Sequence, residues 1–236
     1  MDRSQAAARL LCAVDTTDLT LAEGLAQRLD GHVGGLKLGL EFFCAHGPSG
    51  VREIVGKKHG LFLDLKLHDI PNTVAGGLQG AAQMKPFLTT IHASGGAAMM
   101  RAAMEMVEAL GEQRPKVVAV TMLTSMDDTD LQSVGMQTPV GDQVMRLAEL
   151  AQNSGVDGVV CSAHEAERLR KQCGDDFLLV VPGVRPSWAS SDDQKRIMTP
   201  GEAISAGASY LVVGRPITRA DDPADAADRI VADMAG

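Results

Sequence analysis

The sequence LFLDLKLHDIPNT occupies residues 61–73. It starts with an apolar run typical of a buried strand, and three charged residues, Asp64, Lys66 and Asp69, follow within six positions. Side chains alternate between the two faces of a strand, so Asp64 and Lys66 point to the same side, about 7 Å apart along the backbone. Asp69 follows in a loop, because Pro71 lacks a backbone donor and restricts the residue before it. For an isolated pair of this kind, an ordinary surface ion pair is the simpler interpretation, so the rest of the chain decides.

Two other strand ends repeat the pattern. Lys37 lies in the apolar run LKLG at residues 36–39, and Asp15 follows the first apolar run of the chain. If these strand ends meet, unpaired charges between them would be costly to bury, so charges of opposite sign are expected to alternate. The repetition favours one shared site over separate surface ion pairs.

Eight apolar runs of strand length recur, at residues 10–14, 35–40, 61–67, 87–92, 117–123, 158–161, 178–181 and 211–213. Segments with helical periodicity follow them, at residues 19–29, 51–57, 74–84, 97–110, 140–153, 163–172, 203–206 and 223–234. Near-continuous apolar strands that alternate with helices are typical of a parallel sheet covered on both faces. Eight such units predict a single α/β domain over residues 1–236, built as a (β/α)8 TIM barrel.

A doubly wound open sheet is the competing architecture. Chemically functional side chains or turns follow nearly every apolar run: Asp15, Lys37, Asp64 with Lys66, His92, Thr124, Pro182 to Arg185, and Gly214 with Arg215. A barrel gathers all its strand ends around one mouth, whereas an open sheet uses mainly those beside its switch point. The distribution therefore favours the closed barrel.

The composition argues against nucleic acid and membrane partners. The net charge is −8 and aromatic residues make up 3% of the chain, so neither a basic track nor stacking platforms are available. No stretch approaches the ~20 apolar residues of a membrane span, and the N-terminus lacks the pattern of a signal peptide. The four cysteines have no CxxC or metal-like spacing, so we expect reduced thiols and a cytoplasmic protein.

Phosphate-binding residues are expected at the last two strand ends, where barrels often hold phosphate. Gly214 lets the backbone approach an oxyanion, and Arg215 and Arg185 offer planar guanidinium groups. Residues 185–200 show no apolar periodicity, and a loop of this length is usually functional, with Gln194 as a further donor. The alternative is that Gly214 serves helix packing and Arg215 is a surface residue.

The charged residues Lys37, Asp64, Lys66 and Asp69 alternate in sign if they meet. A Schiff-base lysine must lose its proton, which flanking carboxylates oppose, so Lys66 is predicted to donate a proton instead. The carboxylates could bind Mg²⁺, although the lysines would compete with the metal ion. His92 is either a general acid or base or, more simply, a structural hydrogen-bonding residue.

The stretch FLDLKLHDIPNT is accompanied by VDTT and LKLG before it and by HASGG, VTMLTS, VVCSAHE, VPGVR and VVGRPIT after it. With these motifs, residues 8–223 resemble the orotidine 5′-phosphate decarboxylase family. Sugar-phosphate decarboxylases and synthases of the same suprafamily share the shorter DxKxxD. The resemblance implies a homodimer of barrels that converts orotidine 5′-monophosphate to uridine 5′-monophosphate and CO₂. It implies the last step of de novo UMP biosynthesis, without metal or organic cofactor.

The resemblance also implies a role for each candidate site residue. The catalytic residues would be Lys66, which protonates C6, with Asp64, Asp69 and Lys37. Substrate would be bound by Asp15, Lys37, Ile70, Thr73, Thr124, Pro182, Arg185, Gln194, Gly214 and Arg215. Asp69 and Thr73 would reach into the neighbouring subunit's site, and residues 185–200 would close over the phosphate as a gripping loop.

Three other functions remain open from the sequence. One is a Mg²⁺-dependent sugar-phosphate decarboxylase or synthase on the same barrel, which metal dependence would reveal. Another is a Schiff-base aldolase using Lys66, which borohydride would trap with its substrate. The third is a barrel that only binds a nucleotide, in which substitution of Lys66 would cost no activity.

Overall fold

Eight parallel strands pair in chain order and close into a barrel in the computed structural model, which describes residues 1–56, 59–188 and 198–236. The strands are β1 (Leu10–Ala13), β2 (Gly35–Gly39), β3 (Gly60–Leu67), β4 (Leu88–His92), β5 (Lys116–Val120), β6 (Gly158–Val160), β7 (Leu178–Pro182) and β8 (Tyr210–Val213). Closure is direct, because β1 pairs with both β2 and β8. The predicted (β/α)8 barrel is confirmed, and the open sheet is excluded.

Helices follow the strands around the outside. They are α1 (Arg3–Ala8), α2 (Leu19–Arg28), α3 (Leu40–Val55), α4 (Pro71–Ala82), α5 (Gly96–Glu108), α6 (Asp128–Ser133), α7 (Val140–Asn153), α8 (Ala163–Cys173), α9 (Pro200–Ser205), α10 (Arg215–Thr218) and α11 (Pro223–Ala235). Over the described residues, none of these helices combines the length and the apolar character needed to cross a lipid bilayer.

The helix α3 starts earlier than its periodicity predicts. The sequence indicated a helix from residue 51, but the structure begins it at Leu40. Gly47, with φ of 59°, joins two helical pieces, and Pro48 follows it inside the helix. Because glycine and proline both interrupt helical periodicity, the first piece has too short a pattern to be recognised.

Strand residues divide between two apolar layers. Side chains such as Leu36, Leu61 and Leu63 face outward and pack in the large cluster beneath the helices. Inward side chains fill the barrel itself, and they include Phe62 and Leu88. Two residues after Phe62 on the same face comes Asp64, so the barrel interior changes from apolar to charged toward the carboxyl ends of the strands.

The opposite end of the barrel carries an ion-pair cluster around Asp157. Its carboxylate accepts hydrogen bonds from Arg114 Nη1 at 2.8 Å, Arg114 Nη2 at 2.7 Å and the Val117 amide at 2.8 Å. Lys116 Nζ adds a contact at 3.1 Å. These bonds join β5 to the residue that precedes β6, so the cluster stabilises the closed sheet far from the charged strand ends.

Candidate active site

The strand β3 leaves its regular geometry just before the candidate site. Its pairing with β4 runs through Leu63 opposite Thr89, and the next pair joins Leu67 to Ile91. Three residues of β3 therefore lie opposite one residue of β4, which is a β-bulge. Within the bulge, Lys66 has φ of 50°, a left-handed conformation that costs of order 1–3 kcal/mol in a residue other than glycine. The sequence predicted that side chains would alternate regularly along β3, whereas in the structure the direction of the Lys66 side chain is set by the bulge.

Four charged side chains from three strand ends form a continuous row, which we call the charge row: Asp15, Lys37, Asp64 and Lys66. Lys37 Nζ lies 2.8 Å from Asp15 Oδ1 and 3.6 Å from Asp64 Oδ2. Lys66 Nζ lies 2.6 Å from the same Asp64 Oδ2. The structure thus brings Lys37, Asp64 and Lys66 together in the predicted alternation of sign, with Asp15 at one end of the row. Asp69, the fourth residue of the set predicted to alternate, is not part of the row.

The middle of the charge row is buried and its ends are open. The side chains of Asp64 and Lys37 are only 9% and 11% exposed. Lys66 is 32% exposed, which leaves its ammonium group accessible from the barrel mouth. Burial of Asp64 between two ammonium groups is tolerable because each charge has a partner of opposite sign. An ammonium donor is thereby held in a partly desolvated pocket beside a fixed carboxylate.

Thr90, on β4, completes the surroundings of Asp64, and the sequence analysis missed it. This fully buried residue donates its hydroxyl proton to Asp64 Oδ1 at 3.0 Å. Its oxygen accepts the backbone N–H of Lys66 at 2.8 Å. Threonine is a common strand residue, so its presence in an apolar run carries no signal of a polar role. The only available clue was its position on the inward face of β4.

Asp69, Ile70 and Thr73 lie apart from the charge row. The Asp69 carboxylate accepts the amide of Ile70 at 2.7 Å, and among the described residues it forms no ion pair with the row. Ile70 is 67% exposed, and Thr73 lies exposed in the first turn of α4. A surface cavity of about 490 Å³ is lined by residues 68–71 together with Ser94 and Gly95. Within one chain, the structure leaves these three residues on the surface.

His92 lies at the end of β4 beside the charge row. Its ring stacks on His68 with the centroids 5.2 Å apart. Burial, followed by the nearby charges of His68 and Lys66, lowers the pKa of His92 below its usual range. A neutral imidazole is therefore expected there at neutral pH.

Thr124 and Pro182 line one large cavity at the carboxyl ends of β5, β6 and β7. The cavity measures about 870 Å³ and also includes Met122 and Gly183. The strand β5 ends at Val120, three residues before the predicted end, so the exposed Thr124 belongs to a loop. The strand prediction was too long because Met122 and Leu123 continue the apolar run beyond the last sheet pairing.

The arginines predicted to bind phosphate follow β7 and β8. Arg185 is half-buried, and its amide donates to Met198 O at 3.1 Å, which joins the two ends of the loop predicted at residues 185–200. Residues 189–197, and with them Gln194, lie outside the described residues. Gly214 directly follows β8, and Arg215 is the first residue of α10. A Cβ atom at Gly214 would meet Ala13 Cβ at 3.5 Å, an ordinary contact, so packing alone does not require glycine there.

The fold and the charge row place the chain among (β/α)8-barrel proteins whose site lies at the carboxyl ends of the strands. The chain belongs to the Orotidine 5′-phosphate decarboxylase / HUMPS family, whose profile matches residues 8–230. It is 55% identical over 226 residues to orotidine 5′-phosphate decarboxylase of Paramagnetospirillum magneticum, covering 94% of this chain and 96% of that protein. The Rhodospirillum rubrum protein of the same name is 55% identical over 229 residues, covering 95% of this chain and 93% of that protein.

Solved structures agree with this assignment. A crystal structure of orotidine 5′-phosphate decarboxylase from Lactobacillus acidophilus matches with a TM-score of 0.85 and 37% identity. The match covers 96% of this chain and 99% of that one. The structure from Pyrococcus horikoshii OT3, at 20% identity and a TM-score of 0.78, supports the fold.

Proposed function

We propose that this chain catalyses the decarboxylation of orotidine 5′-monophosphate to uridine 5′-monophosphate and CO₂, a step of pyrimidine biosynthesis. The observation that carries the proposal is the charge row, in which the Lys66 ammonium lies 2.6 Å from the buried Asp64. Membership of the family and 55% identity to two proteins named for this activity support it.

In the proposed reaction, the bond between C6 and the carboxylate breaks and its electron pair stays on C6. A proton from Lys66 Nζ then bonds to C6, CO₂ leaves, and Lys66 regains a proton from water. The ammonium stabilises the developing carbanion before it donates, which is electrostatic preorganisation. Asp64 lies beside this donor, where it would oppose the substrate carboxylate and pair with the Lys66 ammonium group.

The other predicted site residues would bind the ribose, the pyrimidine and the phosphate of the substrate. Asp15 and Lys37, joined at 2.8 Å, would bind the ribose, and Thr124 with Pro182 would contact the pyrimidine across the large cavity. Arg185, Gly214 and Arg215 would hold the phosphate, with Gln194 as a further donor. Binding energy from the phosphate, far from C6, would serve to organise the site around the reacting carbon.

The proposed activity needs no metal ion. Each carboxylate of the charge row already has a lysine within 2.8 Å, and a divalent cation would have to displace it. The 55% identity to two orotidine 5′-phosphate decarboxylases does not favour a Mg²⁺-dependent sugar-phosphate enzyme, and the same assay tests that alternative.

The test is the absorbance change of orotidine 5′-monophosphate with purified protein in excess EDTA. We expect rapid turnover that Lys66→Ala abolishes, while this variant still binds uridine 5′-monophosphate. Lys171→Ala is the matched control, because Lys171 pairs with the exposed Glu167 on α8, away from the charge row. Activity on a sugar phosphate only after Mg²⁺ is added would overturn the proposal. Borohydride trapping of a Lys66 adduct would point to the aldolase instead.

We also infer a homodimer in which Asp69 and Thr73 enter the neighbouring site. Asp69 is exposed and apart from the charge row of its own chain, and Ile70 beside it presents a bare apolar side chain. A second copy related by a two-fold axis would cover this segment and supply the missing carboxylate.

Mixing variants tests the shared site. Lys66→Ala and Asp69→Ala proteins should each be inactive, and a refolded equal mixture should regain about one quarter of wild-type activity, because half of the dimers carry one intact site. A mixture of Lys66→Ala with Lys37→Ala is the control and should stay inactive, since both residues belong to one barrel. No recovery in the first mixture would contradict the exchange of Asp69.

We place the protein in the cytoplasm on the evidence of its thiols. All four cysteines are free, and three of them are buried. Reduced cysteines are typical of cytosolic proteins, whereas oxidising compartments favour disulfides.

A further inference from the structure

Thr90 makes two hydrogen bonds whose directions are determined by chemistry. The Lys66 amide can only donate, so the Thr90 oxygen accepts it at 2.8 Å. The ionised carboxylate of Asp64 can only accept, so the same hydroxyl gives its proton to Oδ1 at 3.0 Å. One buried side chain therefore contacts both partners of the Asp64–Lys66 ion pair, one through its carboxylate and the other through its backbone.

The bond to Lys66 occurs where the sheet provides no partner. Lys66 lies inside the β-bulge with φ of 50°, and pairing between β3 and β4 resumes only at Leu67. Its amide would otherwise face a buried region without an acceptor, which is unfavourable for a backbone donor. The hydroxyl of Thr90 takes the place of a strand carbonyl and helps to hold the left-handed conformation.

The two carboxylate oxygens of Asp64 have different partners. Thr90 occupies Oδ1, whereas Lys66 and Lys37 both contact Oδ2, at 2.6 and 3.6 Å. With Oδ1 held, rotation of the carboxylate would break a buried hydrogen bond. The position of the Lys66 ammonium is thus determined at both ends, by its backbone and by the oxygen with which it pairs.

We propose that Thr90 is a positioning residue that sets the Lys66 ammonium against Asp64 for proton delivery. The inference rests on the proposed function, because it assigns Thr90 to the same proton transfer. Thr90 does not need to touch the substrate. Its effect should therefore be on the rate of the bound complex and not on binding.

Three variants separate this role from a general loss of stability. Thr90→Val keeps the shape and removes the hydroxyl, and Thr90→Ser keeps the hydroxyl and removes a methyl group. Thr89→Val is the matched control: Thr89 is also buried on β4, but it lies on the opposite face and donates to Leu63 O at 3.0 Å. All three should be confirmed as folded by circular dichroism at the assay temperature.

The positioning role of Thr90 is tested by two measurements on each variant: kcat from steady-state kinetics with orotidine 5′-monophosphate, and affinity for the product from titration with uridine 5′-monophosphate. We expect Thr90→Val to lower kcat roughly 10- to 100-fold, since a small misplacement of a reacting group has effects of this size. Product affinity should stay within a few-fold, Thr90→Ser should recover most of kcat, and Thr89→Val should leave kcat unchanged.

The outcomes distinguish this inference from the function on which it rests. If the wild-type protein does not turn over the substrate, the proposed function fails and this inference with it. If the wild type is active but Thr90→Val has normal kcat, or Thr90→Ser is as slow as Thr90→Val, only the positioning role is overturned. Equal losses of kcat in Thr89→Val and Thr90→Val would likewise assign the effect to stability.

Discussion

Asp157→Asn should destabilise the barrel and leave turnover intact. The carboxylate accepts from two guanidinium nitrogens of Arg114, at 2.8 and 2.7 Å, and from the Val117 amide at 2.8 Å. Asparagine keeps one acceptor oxygen, so a charge-assisted bond to Arg114 is lost, at a cost of about 2–3 kcal/mol. Lys116, 55% exposed, adds little. In a domain of this size the melting temperature should fall by roughly 4–12 °C.

The effect should depend on pH in a defined direction. Burial by itself raises the pKa of Asp157, but hydrogen bonds from Arg114, Val117 and Lys116 outweigh burial and bring the pKa below its ordinary value. A lowered pKa contributes stability that is fully present above the unfolded value, about 3.9, and is lost as the pH falls through the folded value. The difference in melting temperature should therefore be constant between about pH 8 and pH 5 and shrink below about pH 4.

The assay is thermal unfolding of wild type and variant, followed by circular dichroism across this pH range, with kcat measured at pH 7. Glu167→Gln serves as the control, because Glu167 pairs with Lys171 on an exposed helix face and its loss should change little. Equal melting temperatures at pH 7, or a difference that widens on acidification, would refute the argument. A loss of kcat at full folding would show that this end of the barrel does affect the site.

Three further outcomes can be checked directly. Arg215→Ala should weaken every 5′-phosphorylated ligand by roughly 10- to 100-fold, as for the loss of a charge-assisted contact, while unphosphorylated uridine binds as before, by calorimetry. Gly158→Ala should abolish or severely destabilise folding, because the new Cβ would overlap Leu178 O in the adjacent strand; an unchanged melting temperature would contradict this. Cys44 alone should react with a thiol reagent in the native protein, since it is exposed whereas the other three cysteines are buried. Burial also raises the pKa of Cys12 to about 12. Labelling of more than one thiol before unfolding would contradict this prediction.

The sequence predicted all eight strands because parallel strands buried on both sides need continuous apolar runs. Errors arose where the apolar pattern and the hydrogen-bonded structure differ. The strand β5 ends at Val120 although the apolar run continues to Leu123, which is exposed. The first part of α3 was missed because Gly47 divides the helix.

The charge row was predictable because a lysine or an aspartate at the end of an apolar strand is unusual, and three strands shared this feature. Its fine geometry was not. The bend at Lys66 depends on pairing between β3 and β4, which no local pattern in either strand records. Thr90 was not predicted for the same reason, since its hydrogen bonds to Asp64 and Lys66 form only when β3 and β4 pair. The exchange of Asp69 between subunits rests on the resemblance and stays a prediction.

The charge row has two carboxylates and two ammonium groups, so its formal charge is zero. Such a row exerts little field beyond a Debye length, about 8 Å at physiological ionic strength. The chain as a whole carries −8, which repels an anion that diffuses toward it. Capture of an anionic substrate would then depend on the arginines after β7 and β8, and added salt should weaken their attraction for the substrate. The proposed proton transfer from Lys66, whose ammonium lies 2.6 Å from Asp64, should respond far less. In the proposed mechanism, substrate encounter and proton transfer thus depend on different charged groups.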